Sequence, residues 1–101
     1  MQVKNFDQQA GAASDFVGCL AHPLRLRILC ALAEGELTIG ELAQRIGAAQ
    51  PSLSHHLALL RGAHIVEARR SGQALLCRLA HPGAAKMIAV LAESFCPVRG
   101  V

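Results

Sequence analysis

This chain is poor in charge. Asp, Glu, Lys and Arg make up 17% of its 101 residues, against 52% hydrophobic residues. A soluble chain this apolar implies that some of its surface is buried in an oligomer. Yet no apolar run approaches the roughly 18 residues of a membrane helix, so no membrane partner is expected. No basic stretch followed by an apolar one opens the chain, so no secretory signal is expected either. Four cysteines without such a signal point to reduced cytoplasmic thiols rather than a secreted disulfide framework. There is no Cys-x-x-Cys, no anion-cradling loop around a cysteine, and little room for a substrate pocket. A small sulfurtransferase or thiol oxidoreductase is therefore disfavoured, and the chain is read as a non-enzyme without a cofactor. No internal repeat or low-complexity segment is visible. The net charge of +3 permits nucleic-acid binding without demanding it.

What is present is one domain's worth of chain with one core. Its organising stretch runs from Thr38 to Ile65. Ile39, Leu42, Ala43 and Ile46 are apolar at i, i+3, i+4 and i+7, and predict a short helix ended by Gly47. Leu53, Leu57 and Leu60 predict a second helix. Two such helices joined by Gly47-Ala48-Ala49 outline a helix-turn-helix. At 100° per residue, His55 points away from the leucine stripe of the second helix. Pro51, Ser54 and Ala58 share that outer side, Ser52 lies at its edge, and Gln50 stands at the helix start. Free N–H groups there favour phosphate. Gln, Ser and His are short hydrogen-bonding groups suited to base edges and phosphates. The ordinary alternative is a polar helix face with Pro at its first turn.

Around this stretch, residues 1–9 read as a loose arm and 10–101 as the folded domain. Ala10 to Ala21 predicts a helix through Ala13, Phe16, Val17 and Leu20. His22-Pro23 starts the next helix, which Gly35 ends. Leu24, Ile28 and Leu32 form one stripe of it, and Leu26, Leu29, Cys30 and Ala33 a second. That pattern predicts a central helix with Cys30 buried. Val66–Arg70 and Gln73–Leu79 read as strands around a Ser71-Gly72 turn, with Cys77 facing inward. A hairpin directly after a helix-turn-helix is a wing, and Arg69 and Arg70 beside its tip suit phosphate or the minor groove. Pro82 opens a last, mostly apolar helix to Phe95, and Pro97 blocks its continuation. Pairing with the first helix, and with the same helices of a second subunit, would cover it. The expected fold is mainly α with one β-hairpin: four helices, two strands and a fifth helix, as a winged helix-turn-helix homodimer. His22 and His81 each precede a proline and read as helix-start residues rather than metal ligands.

The segments HPLRLRIL, IGELAQRIG and QPSLSHHLALLR, followed by RRSGQALLCRL, resemble the ArsR family of bacterial winged-helix repressors. The likeness covers roughly Leu20 to Cys96. It implies a homodimer on double-stranded operator DNA, released when an inducer binds. It places Gln50, Ser52, Ser54, His55 and His56 on the recognition helix and Arg69 and Arg70 on the wing. The chain departs from the family at Gly62-Ala63-His64, where an Ala-Gly pair is usual; His accepts left-handed backbone better than most residues.

The inducer must be argued from a site. The arsenic and cadmium sensors of the family carry Cys-x-Cys on the first helix of the helix-turn-helix. Here Thr38 and Gly40 occupy those positions. The zinc and nickel sensors use Asp and His on the last helix, and Pro82–Phe95 contains neither. No metal site is expected from either pattern. Cys30 and Cys96 instead resemble the dithiol pair of the persulfide-sensing, BigR- and SqrR-like branch. The resemblance implies that they react with an inducer persulfide or polysulfide to form a disulfide or a longer bridge. The alternative is As(III) or another thiophilic metal held by Cys30, Cys96 and Cys19. For Cys77, and for Cys19 to a lesser degree, the plain reading is a small buried hydrophobe.

Overall fold

His22 and Pro23 set the start of the central helix. The His22 ring nitrogen Nδ1 accepts from the Leu24 N–H at 3.1 Å, and Pro23 needs no N–H partner in the first turn. His81 does the same before Pro82, accepting from Gly83 at 3.0 Å and Ala84 at 3.2 Å. Both histidines are helix caps, as their places before proline predict. The computed structural model describes residues 3–96, as helices α1 (Val3–Leu20), α2 (Pro23–Ala33), α3 (Ile39–Ile46), α4 (Gln50–Gly62) and α5 (Pro82–Phe95), and strands β1 (Leu37–Thr38), β2 (Val66–Ser71) and β3 (Ala74–Leu79). Pro97 lies outside the described residues.

Three boundaries differ from the sequence reading. First, α1 begins at Val3, so the described part of the expected arm is its opening turns. Asn5 to Gln9 are exposed, and periodicity registers only a face that packs. Second, Leu37–Thr38 forms a short extra strand paired antiparallel with β3, Leu37 opposite Cys77 and Thr38 opposite Leu76. Two residues are too few to show an alternation, and β3 supplies the partner. The sheet order is β1-β3-β2. Third, the hairpin turn is Gly72-Gln73, with Ser71 opposite Ala74. Gly72 takes the positive φ of 65° that the first central position of a tight hairpin turn favours.

The helix-turn-helix itself follows its local chemistry closely. Thr38 Oγ1 accepts from the Glu41 N–H at 3.0 Å, and Glu41 Oε1 accepts from the Thr38 N–H at 2.8 Å. This reciprocal pair starts α3. Gly47 ends it in the left-handed conformation at φ 75°. His64 stands in left-handed backbone at φ 61° after α4.

The core is aliphatic. Ile28, Leu29, Leu42, Leu53, Leu60, Ile65 and Val66 are fully buried, with Cys77 from β3 among them. Each large side chain of this kind contributes about 1.5–3 kcal/mol on burial. Helix α2 is central: α3, α4, α5 and β3 all pack on it. Its outer side is less covered than its two apolar stripes predict. Ile28, Leu29, Ala31 and Leu32 are buried, but Cys30 and Ala33 are exposed. The expectation of a buried Cys30 is thus overturned. Its thiol sits where α2 and α5 leave a groove between them. Phe6, Val17, Val90 and Phe95 are large apolar residues left in solvent on α1 and α5. No single helix among the described residues is long and apolar enough to cross a membrane, and α1 and α2 meet at an 86° bend.

Candidate functional site

Two surfaces carry the residues that the sequence singles out. One is the outer face of α4 with the wing. Burying Leu53, Leu57 and Leu60 leaves Gln50, Pro51, Ser52, Ser54, His55 and Ala58 exposed. Ala49 caps this helix with backbone alone and offers no side-chain acceptor to its first turn. The unsatisfied N–H groups there, at the positive end of the helix dipole, form a place for an anion.

His56 differs from its neighbours on α4. It is half-buried, with Arg25 Nη1 3.1 Å from its Nδ1 and its ring 4.2 Å from that of His22. The structure therefore ties it inward to α2 rather than presenting it with His55. Desolvation first, then His22, Arg25 and His55, hold its ring below the ordinary histidine range. Arg25 and His22 had not been singled out as site residues. No spacing in the sequence links positions 22, 25 and 56.

On the wing, both arginines are exposed, but they are not equivalent. Arg69 pairs with Glu36 at 3.1 Å, whereas Arg70 has no ion-pair partner among the described residues. Arg78 pairs with Glu67 at 2.7 Å.

The second surface is the groove between α2 and α5. Cys30, Leu32, Ala33 and Glu34 form one wall, and Ala85, Ile88, Ala89, Ala92 and Cys96 the other, with Leu79 beneath; it encloses about 610 Å³. A neighbouring hollow of about 420 Å³ is lined by Leu26, Arg27, Ala31, Arg45 and Ile46, and again by Cys30, Glu34 and Cys96. The two thiols thus stand on the shared ridge. Cys96 caps α5, its N–H donating to the Ala92 carbonyl at 2.8 Å. All four cysteines are free thiols, and Cys30 and Cys96 are exposed. Partial desolvation at the groove wall, then Cys96, then Glu34 push the Cys30 thiol pKa above its usual value. Cys77 is buried in the core, as its inward strand position predicts. Cys19 is half-buried and does not line the groove. Its carbonyl accepts from Arg25 Nε at 2.6 Å. Among the described residues, no three His, Cys, Asp or Glu side chains gather as a metal site would require.

Comparison with known proteins agrees with the geometry. The profile of the family "Bacterial regulatory protein, arsR family" matches residues 22–68, which span α2, the helix-turn-helix and the start of the wing. A "Biofilm growth-associated repressor" of Xylella fastidiosa is 38% identical over 96 residues, covering 95% of this chain and 84% of the relative. The crystal structure of the transcriptional repressor BigR from Xylella fastidiosa superposes with a TM-score of 0.89 at 38% identity, over 97% of this chain and all of that one. Reduced HlyU from Vibrio cholerae gives 0.86 at 32% identity, over 92% and 98%. With its winged helix-turn-helix, its recognition face and this breadth of likeness, the chain belongs to the ArsR family of bacterial transcriptional regulators.

Proposed function

We propose that this protein is a cytoplasmic homodimeric repressor that binds double-stranded operator DNA and releases it when Cys30 and Cys96 react with a persulfide or polysulfide. The observation that carries this reading is the placement of two free thiols, from two different helices, on the ridge of one open groove. Gln50, Ser52, Ser54 and His55 are the groups offered to the DNA, with Arg70 and Arg69 on the wing and His56 at the flank. The likeness to a repressor, and to a regulator described in its reduced form, supports a thiol-controlled member of the family.

The chemistry balances without a further oxidant. One cysteine thiolate attacks the terminal sulfur of R–S–SH, forming Cys–S–SH and expelling RS⁻. The second thiolate attacks the cysteine sulfur of that persulfide and expels HS⁻, leaving a Cys30–Cys96 disulfide. The dithiol is oxidised and the sulfane sulfur is reduced to sulfide. If both cysteines are first persulfidated, the terminal sulfur of one attacks the cysteine sulfur of the other. This expels HS⁻ and leaves a trisulfide. The added sulfur widens the span beyond the Cα separation of ~4.4–6.8 Å that a plain disulfide needs.

Intact-mass measurement after treatment with a persulfide, a disulfide stressor or As(III) tests the reading. Loss of two hydrogens, with or without one added sulfur, specific to persulfide and absent in Cys30→Ser and Cys96→Ser, is the expected result. A gain of arsenic with DNA release, and no response to persulfide, would replace it with the metalloid reading. Cys19, the third thiol for that reading, lies outside the groove.

A further inference from the structure

Three of the five histidines gather where α2 meets α4. The ring of His56 lies 4.2 Å from that of His22 and 5.1 Å, edge-on, from that of His55. Arg25 closes the cluster. Its Nε donates to the Cys19 carbonyl at the end of α1, and its Nη1 reaches His56 Nδ1 at 3.1 Å. One planar guanidinium thus links α1, α2 and α4.

An arginine has only donors. The atom it meets must therefore be an acceptor, so His56 Nδ1 carries the lone pair and the ring proton is on Nε2. Among the described residues no unpartnered polar side-chain atom is buried and Nε2 of His56 has no hydrogen-bond partner, so Nε2 is not sealed from solvent by them. His22 is set the same way, because its Nδ1 accepts from the Leu24 N–H.

We propose that Arg25 is a positioning residue of the DNA-binding surface, holding His56 as the neutral imidazole whose Nε2–H is offered to a phosphate oxygen beside the recognition helix. This rests on the reading of α4 as that helix. The flank position of His56, half-buried against α2 rather than outward with His55, suits the backbone of the duplex rather than its base edges. The groups facing His56 are Arg25 and His22 from α2, His55 from α4 and the Cys19 carbonyl from α1 with Arg25 upon it. No carboxylate is among them. A second ring proton would place Nδ1–H against the guanidinium, so acid breaks the link and frees the ring. The direction in which desolvation, His22, Arg25 and His55 move His56 is the one this arrangement requires.

The test uses the full-length, ¹⁵N-labelled protein and a duplex enriched by the wild type from a random-sequence pool. Imidazole spectra across the acid-to-neutral range are expected to show His56 with its proton on Nε2. Arg25→Met should admit the Nδ1–H tautomer, raise the protonation midpoint of His56 and weaken duplex binding about tenfold, the size of one lost contact. His56→Gln keeps an N–H donor near the place of Nε2 and should bind within about threefold of wild type, whereas His56→Ala should not. Adding Arg25→Met to His56→Gln should then cost nothing further. A wild-type spectrum with the His56 proton on Nδ1 overturns the proposal even if Arg25→Met does not fold. A full additional loss in the double variant also overturns it, because Arg25 would then act on the DNA by itself. If His55→Ala leaves affinity unchanged as well, the failure belongs to the reading of α4. If Arg25→Met alone does so, it belongs to this inference.

Discussion

Cys30 on the outer side of α2 and Cys96 at the cap of α5 line the same two hollows, one on each side of their shared ridge. A bridge between them would fasten α5 to α2. Helix α4 packs directly on α2, so such a tie reaches the element proposed to enter the DNA. Operator half-sites demand a recognition-helix spacing of ~34–36 Å in a dimer, so small shifts of α2 against α5 matter.

The dithiol can be separated from the other thiols. Reduced protein should bind its duplex, and persulfide-treated protein should bind at least tenfold more weakly, a coupling of roughly 1.4 kcal/mol. Cys30→Ser and Cys96→Ser should bind but not respond. Cys77→Ser and Cys19→Ser should respond normally. Release of DNA by the Cys30→Ser, Cys96→Ser double mutant on persulfide treatment would falsify the switch.

The pH dependence of Cys30 follows from its surroundings. Partial desolvation, Cys96 and Glu34 raise its pKa above the ordinary 9.0. A raised thiol pKa leaves less thiolate at neutral pH, so alkylation should be slow there. In Cys96→Ser, where partial desolvation still acts, the rate should climb about tenfold per pH unit and show no plateau by about pH 9. Glu34→Gln removes a negative charge and should speed the reaction at neutral pH. Mass-resolved iodoacetamide kinetics reads both, and a plateau near neutrality would refute the assignment.

The two wing arginines should behave differently. Arg70→Ala should reduce the slope of log affinity against log salt by about 1. Arg69→Ala should cost less, because Arg69 must leave Glu36 to meet a phosphate. His55→Ala should cost ~1–3 kcal/mol and relax sequence preference. Unchanged affinity in the Arg69→Ala, Arg70→Ala double mutant would remove the wing from the mechanism.

Val17 on α1 and Val90 on α5 are 46% and 61% exposed, and Phe95 is 77% exposed. Covering them is the expected work of a second subunit. Sedimentation at micromolar concentration should show a homodimer in both redox states. Val17→Asp with Val90→Asp should shift it to monomer without loss of helicity. A wild-type monomer would count against the two-fold operator arrangement.

His64 at φ 61° is the one described non-glycine residue with positive φ. Left-handed backbone costs a side-chain-bearing residue roughly 1–2 kcal/mol. His64→Gly removes that strain at some entropic cost, so thermal or urea unfolding should show a gain of about 0.5–1 kcal/mol. A loss of stability would mean that the His64 side chain makes a compensating contact.

Sequence alone determined the elements whose signals are local. The leucine stripe of α4, Gly47 and the two His-Pro starts each act within a few residues, and each produced the element expected of it. Resemblance singled out Cys30 and Cys96 as a pair. Tertiary structure decided what depends on partners distant in the chain. Leu37–Thr38 is a strand only because β3 lies beside it. Cys30 is exposed because it lines the groove left between α2 and α5, although its helix position reads as core. His56 turns inward because Arg25, 31 residues away, holds it. Arg69 is partly neutralised because Glu36, 33 residues away, reaches the wing. A periodic pattern reports which side of an element is apolar. Only the packed chain fixes how much of that side is covered and which charges meet.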